Sequence, residues 1–181
     1  MRECDFLIVG AGIGGASCAH FLSREHSVFL LEMEDHPGYH TTGRSVAIYT
    51  EAYGPRTIRA LAIAGGEFFR EPPSGFSEIA LCKQFGLVFI ARDDQTSVLY
   101  DALETVKDLS ANIAEVSVER VRELVPVMRP GYTAAAFLDP NTLSLDVDAI
   151  YQGYIRGLKS NRAEIVTNAE ALGFERKGEK W

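Results

Sequence analysis

Gly10, Gly12 and Gly15 stand in the spacing G-x-G-x-x-G. Each has a separate task where a pyrophosphate is held. Gly10 permits a tight turn, Gly12 lets backbone amides approach the anion, and Gly15 lets a helix pack closely on a sheet. The phosphates would then lie on the positive end of that helix, whose first amides lack partners. Downstream, Glu32 closes a second apolar run. A carboxylate there accepts hydrogen bonds from both ribose hydroxyls of an adenosine and repels a 2′-phosphate, which disfavours NADP and leaves NAD and FAD unseparated. A glycine pattern alone equally describes a flexible turn. What selects the dinucleotide reading is its place between a strand and a helix, with an acid following the next strand.

A second group of polar residues is Thr41, Thr42, Gly43, Arg44 and Ser45. Its hydroxyls and guanidinium can donate to the oxygens of a bound cofactor without any net positive charge nearby. The plainer alternative is a solvated loop in which Arg44 pairs a neighbouring acid. His20 lies within the first helix and reads as a packing or surface residue, and His36 has only His40 close by, so no metal site is expected. Neither a nucleophile elbow nor a spaced pair of catalytic carboxylates is present.

The elements that must position these residues follow from periodicity. Residues 5–9 form an apolar run, Ala16, Ala19 and Leu22 mark one side of a helix, and residues 28–31 form a second run: a right-handed βαβ unit in a parallel sheet. Residues 36–45 are a polar loop rich in turn formers. Pro55 takes a first helical position, and Ile58, Leu61, Ala62, Phe68 and Phe69 continue at helical spacing to Pro72 and Pro73. Residues 79–82 and 86–91 read as paired strands. Asp94 reads as the cap of a helix carrying Val98, Leu99, Leu103, Val106 and Leu109. A short helix covers 118–124, a strand 133–138, and a helix 147–158 with Ile150, Tyr154, Ile155 and Leu158 inward. Residues 164–167 and 171–175 read as strands, and Arg176, Lys177, Gly178 and Glu179 as a hairpin turn whose returning strand would begin at Trp181. The expectation is the N-terminal part of a longer protein, or a chain that finishes its sheet by self-association or with a partner.

The fold class is thus α/β: a Rossmann-like dinucleotide-binding domain over 1–54 and 140–181, with part of an inserted α+β substrate domain over 55–139, both incomplete. The chain has 181 residues with 46% hydrophobic residues, enough for a good core, and a net charge of −7 that repels nucleic acid and anionic membranes. Cys4, Cys18 and Cys82 are odd in number and lack metal-ligand spacing, which argues against a disulfide framework and for a reducing compartment. No apolar stretch is long enough for a signal core or a membrane span, so the cytoplasm is expected.

Residues 5–54 resemble the FAD-dependent amine and amino-acid oxidoreductases of the D-amino acid oxidase superfamily, and are most similar to bacterial D-amino-acid dehydrogenases of the D-arginine type. The resemblance rests on G-A-G-I-G-G-A-S from Gly10, L-L-E ending at Glu32 and P-G-Y-H-T-T-G-R-S from Pro37. It continues more weakly through A-Y-G from Ala52, P-P-S-G-F from Pro72 and G-Y-I-R-G from Gly153. Family members are about twice this length. The resemblance implies that Gly10, Gly12, Ile13, Gly14 and Gly15 serve the pyrophosphate of FAD and that Glu32 and Met33 serve the adenosine ribose and its surroundings. It implies that Thr41, Thr42, Gly43, Arg44, Ser45, Ala47 and Ile48 run beside pyrophosphate and flavin, and that the backbone of Ala171 meets the adenine. Tyr53 falls in the active-site loop over the substrate, either orienting it by its hydroxyl or packing its ring under the loop.

Several positions depart from the family pattern. His26 stands where the first helix usually ends on glycine. Ile48 and Leu87 are apolar where the arginine-oxidising relative carries polar or acidic groups, so a cationic substrate is not supported. His40 stands where some members of the wider superfamily attach flavin covalently. Closer relatives carry that histidine without the bond, and noncovalent FAD is expected. The implied reaction is hydride transfer from the α-carbon of an amine or amino acid to flavin, followed by hydrolysis of the imine. The competing readings are a binding fragment without catalysis and an NAD-linked Rossmann enzyme.

Overall fold

The computed structural model describes residues 3–109 and 112–178. In chain order the first elements are β1 (Phe6–Val9), α1 (Ile13–Leu22), β2 (Val28–Leu31), β3 (Ile48–Tyr49), α2 (Arg56–Arg70), β4 (Cys82–Gln84) and β5 (Leu87–Ala91). There follow α3 (Thr96–Val106), β6 (Ala114–Glu115), α4 (Val118–Leu124), β7 (Ala135–Asp139), β8 (Leu143–Leu145), α5 (Val147–Ser160) and β9 (Ala163–Val166). They divide into two units, one of Met1–Ala47, Pro72–Leu81 and Asp146–Trp181, the other of Ile48–Glu71 and Cys82–Leu145.

The first unit is built on a parallel sheet of order β1-β2-β9, with Phe6 opposite Val28 and Val28 opposite Ala163. Parallel neighbours need crossovers, and α1 supplies the one between β1 and β2. Helix α1 packs on α5. Asp146 caps α5 by accepting from the Ala149 N–H at 2.8 Å, and the helix buries Ala149, Ile150, Tyr151, Gly153, Tyr154, Ile155 and Leu158. Its two glycines make room for rings: a Cβ at Gly157 would collide with His20, and one at Gly153 with Phe76. His20 is accordingly a buried packing residue, edge-on to Phe21, Phe76 and Tyr154. Its Nδ1 has no hydrogen-bond partner among the described residues. Burial, with the Arg24 charge adding, holds its pKa below the ordinary imidazole value.

The second unit holds two antiparallel sheets, β3-β8-β4 and β5-β7-β6. Its core gathers Ala91, Leu99, Val106, Ile113, Ala135 and Phe137, with Phe89 stacked on Phe137 at 4.5 Å. Buried Asp139 is satisfied by the Thr50 and Thr142 hydroxyls and the Asn141 N–H.

Several expectations are corrected. β4 and β5 do not pair with each other. The N–H groups of Phe85 and Gly86 both bond to the Thr142 carbonyl and Gly86 takes a φ of +80°, which sends the chain from β8's sheet into β7's. Residues 79–81 form no strand. Asp94 does not cap α3: the Arg92 guanidinium takes both its oxygens at 3.1 Å, and the helix starts at Thr96 behind a short 3₁₀ turn. Pro55 precedes α2 as its N-cap, and the apolar residues Ile58 and Leu61 of that helix are exposed. Helix α1 ends at Leu22 on a right-handed Ser23, so His26 is not asked to adopt a left-handed cap. Residues 171–175 form no strand. Asn168 turns the chain at φ +53°, and Asn168 and Ala169 bond to the carbonyls of Glu34 and Glu32 instead of opening a new ladder. Of the expected terminal hairpin, Glu179 and Trp181 lie outside the described residues.

Candidate functional site

At the end of β1 the chain turns through Gly10, whose φ of +94° a side chain would rarely accept. Its N–H bonds to the Leu31 carbonyl at 2.8 Å, tying the turn to the end of β2. The Ala11 N–H bonds to Glu32 Oε2 at 2.9 Å, and the Ala11 carbonyl accepts from the Tyr151 hydroxyl at 2.5 Å. Gly12 caps α1 through its backbone, its carbonyl taking the Ala16 N–H at 2.9 Å, while the Ile13 N–H bonds to Thr42 Oγ1 at 2.9 Å. A Cβ at Gly15 would collide with the Gly10 carbonyl and meet Ile8 at 3.4 Å. The last glycine therefore serves the turn itself as much as the sheet.

This accounting leaves the N–H groups of Gly12, Gly14 and Gly15 without a protein acceptor among the described residues. They surround the N-terminus of a ten-residue helix at which Ile13 and Gly14 are exposed. Orphan amides plus the positive end of a helix are features that can hold an anion.

Glu32 is buried at 7% exposure beside this turn. Its Oε2 takes the Ala11 N–H and its Oε1 the Glu34 N–H at 3.1 Å. A carboxylate accepts about four hydrogen bonds, so about two remain for a ligand. Its backbone is fixed on both sides, to the Val166 carbonyl and the Ala169 N–H. Met33 beside it is exposed. Burial, with the Glu32 charge adding, pushes the Tyr151 hydroxyl up to about 12, so it stays a donor at ordinary pH.

The loop after β2 is held from two directions. Gly38, at φ +82°, lies against the Tyr151 ring, which a Cβ would meet at 3.2 Å. The Gly43 N–H bonds to the Gly38 carbonyl at 3.0 Å, closing a loop whose 3₁₀ turn Thr42–Arg44 delivers Thr42, buried, to α1. Of the five polar residues here only Thr42 reaches the turn. Arg44 stacks its guanidinium over Tyr39 at 5.4 Å, the Ser45 hydroxyl accepts the Ala47 N–H at 3.0 Å, and Thr41 is exposed. Ala47 adopts φ +60°, a left-handed conformation uncommon without glycine. His40 Nε2 lies 2.7 Å from Glu34 Oε1 on the surface.

Three further candidates stand elsewhere in the sequence. Ala171 is half-buried in irregular backbone. Ile48 and Tyr53 belong to the second unit, Ile48 paired with Ser144 in β3 and Tyr53 exposed. Tyr151 was not among the expected site residues. Its position one residue from Ile150 and three from Tyr154 puts it on the inward stripe of α5, but periodicity carries no sign of its partner at Ala11.

A family model described as "FAD dependent oxidoreductase" matches residues 5–181. The chain belongs to this family. Among solved structures, the chain is similar to L-α-glycerophosphate oxidase from Mycoplasma pneumoniae with FAD bound, at 18% identity and a TM-score of 0.81 over 99% of this chain and 48% of that one. It is similar to L-proline dehydrogenase from P. horikoshii, at 18% identity and a TM-score of 0.80 over 98% of this chain and 47% of the other. It is also similar to glycine oxidase from Bacillus cereus, at 16% identity and a TM-score of 0.78 over 97% of this chain and 50% of the other. At such identities the likeness is one of fold, and the fold is the α/β arrangement expected. The chain spans about half the length of these structures.

Proposed function

We propose that this chain binds FAD noncovalently and is the cofactor-gripping part of an enzyme that oxidises an amine or amino acid. The observation that carries the reading is the set of orphan amides on Gly12, Gly14 and Gly15 beside the buried Glu32 carboxylate. The donors suit a pyrophosphate and the acceptor suits an adenosine ribose. Thr42 holds the Ile13 amide and so fixes the mouth of the helix. FAD, when bound, supplies the hydride acceptor. The chain's own residues fix the phosphates, hold the ribose and keep the turn in one conformation. Met33 and the backbone of Ala171 would serve the adenosine end, and Tyr53 the substrate. The His40–Glu34 pair gives that imidazole a protein partner and supports noncovalent attachment.

Substrate class rests on less. Apolar Leu87 in β5 and Ile48 in β3 support an uncharged side chain over the cationic one of the D-arginine type. No helix among the described residues is long and apolar enough to cross a membrane, and the three cysteines are free, which supports a cytoplasmic setting. A second reading, binding without catalysis, is favoured by β1, a sheet edge whose Phe6, Leu7 and Val9 are exposed.

The test is titration of the purified chain with FAD, followed by acid precipitation and addition of amino acids. Saturable binding, full release of the yellow colour by acid, and bleaching by a neutral amino acid are expected. Binding without bleaching favours the second reading, and colour retained in the pellet contradicts noncovalent attachment.

A further inference from the structure

Tyr151 lies 140 positions from the glycine turn in sequence and touches it directly through the Ala11 carbonyl. The peptide joining Ala11 to Gly12 is trans, since the described chain has no cis bond, so its C=O and N–H point in opposite directions. Anchoring the carbonyl on α5 therefore aims the Gly12 N–H away from α5. Three N–H groups of the turn are committed elsewhere: that of Gly10 to Leu31, that of Ala11 to Glu32 and that of Ile13 to Thr42. Without the hydroxyl, the Ala11 carbonyl loses the bond that fixes its direction. A carbonyl dipole facing outward would meet a phosphate with negative charge in place of an N–H. The same side chain packs its ring against Gly38, in the loop that delivers Thr42 to the helix.

We propose that Tyr151 is a positioning residue for the cofactor's pyrophosphate: its hydroxyl holds the Ala11–Gly12 peptide with the N–H outward, and its ring holds the Gly38 loop in register with α1. The inference rests on the FAD reading above. It assigns to α5 a part in phosphate binding that goes beyond packing. Because the hydroxyl acts on the phosphate side of the site and not on the ribose side, its loss should separate ligands by whether they carry phosphate.

The test uses the chain with Tyr151→Phe, which keeps the ring and deletes the hydroxyl, and Tyr154→Phe as a control on the same helix with a similarly buried ring. FAD, ADP and adenosine are titrated by calorimetry or flavin fluorescence, and thermal midpoints are measured alongside. Tyr151→Phe is expected to weaken FAD and ADP about tenfold, the scale of one hydrogen-bonded contact, and to leave adenosine within about twofold. Tyr154→Phe is expected to leave all three within about twofold at a comparable midpoint. Should Tyr151→Phe fail to fold, Gly38→Ala crowds the ring while keeping the hydroxyl, and the same phosphate-selective loss is expected. Unchanged FAD and ADP affinity in the variant, or equal loss of ADP and adenosine, overturns the proposal while wild-type binding stands. A wild-type chain that binds neither FAD nor ADP overturns the cofactor reading, and this inference with it.

Discussion

Two backbone N–H groups converge on the buried carboxylate of Glu32, and a glutamine there has one acceptor oxygen to offer them. Glu32→Gln is expected to leave one N–H facing an amide, at a cost of about 1–3 kcal/mol, and to weaken FAD at least about tenfold. Thermal unfolding and FAD titration check both. His20 sets a pH dependence. Its pKa is held below 6.5 in the folded chain, so the folded form disfavours the charged ring; the stability is fully present above that value and is lost as pH falls below it. The carboxyls of Asp5, Asp94 and Glu119 are held low, and their contribution is lost only at more acid pH. A thermal midpoint that falls as pH drops below about 6.5, flattened in His20→Leu, is expected. At this scale the glycine spacing and Glu32 were legible because they act within one βαβ unit. Thr42's bond to Ile13 and Tyr151's to Ala11 were not, since they join residues 29 and 140 positions apart. The stacking of the Arg44 guanidinium over Tyr39 was not legible either, since no spacing rule announces it.

Helix α5 shows what an element needs to be readable. Its inward stripe is a local feature and appears in the structure where the periodicity puts it, while the structure adds Asp146 as its cap. Asp146→Ala should remove the bond to the Ala149 N–H and cost about 1 kcal/mol, seen as a lower thermal or urea midpoint. Strand pairing was less readable. The choice of β8 as partner for β4, and β7 for β5, is made by hydrogen bonds to Thr142 that no alternation of apolar residues announces. β3 and β6 are each two residues long, too short for any period to register. Residues 171–175 look like a strand by composition, but they pair with no strand among the described residues.

On the scale of the whole molecule, the sheet of the first unit ends at β1 among the described residues, and that strand carries exposed Phe6, Leu7 and Val9. A flat apolar edge recruits other strands, and the net charge of −7 opposes this only diffusely. Concentration-dependent association in sedimentation is expected, reduced by Leu7→Lys. We propose that the glycine turn, Glu32 and Thr42 together form a working grip for a dinucleotide. FAD titration of the folded chain beside Gly15→Ala, whose Cβ would collide with the Gly10 carbonyl, tests it most directly. The account predicts saturable binding by the wild-type chain and its loss in Gly15→Ala; a folded wild-type chain that leaves FAD free at every concentration, or equal binding by both, would contradict it.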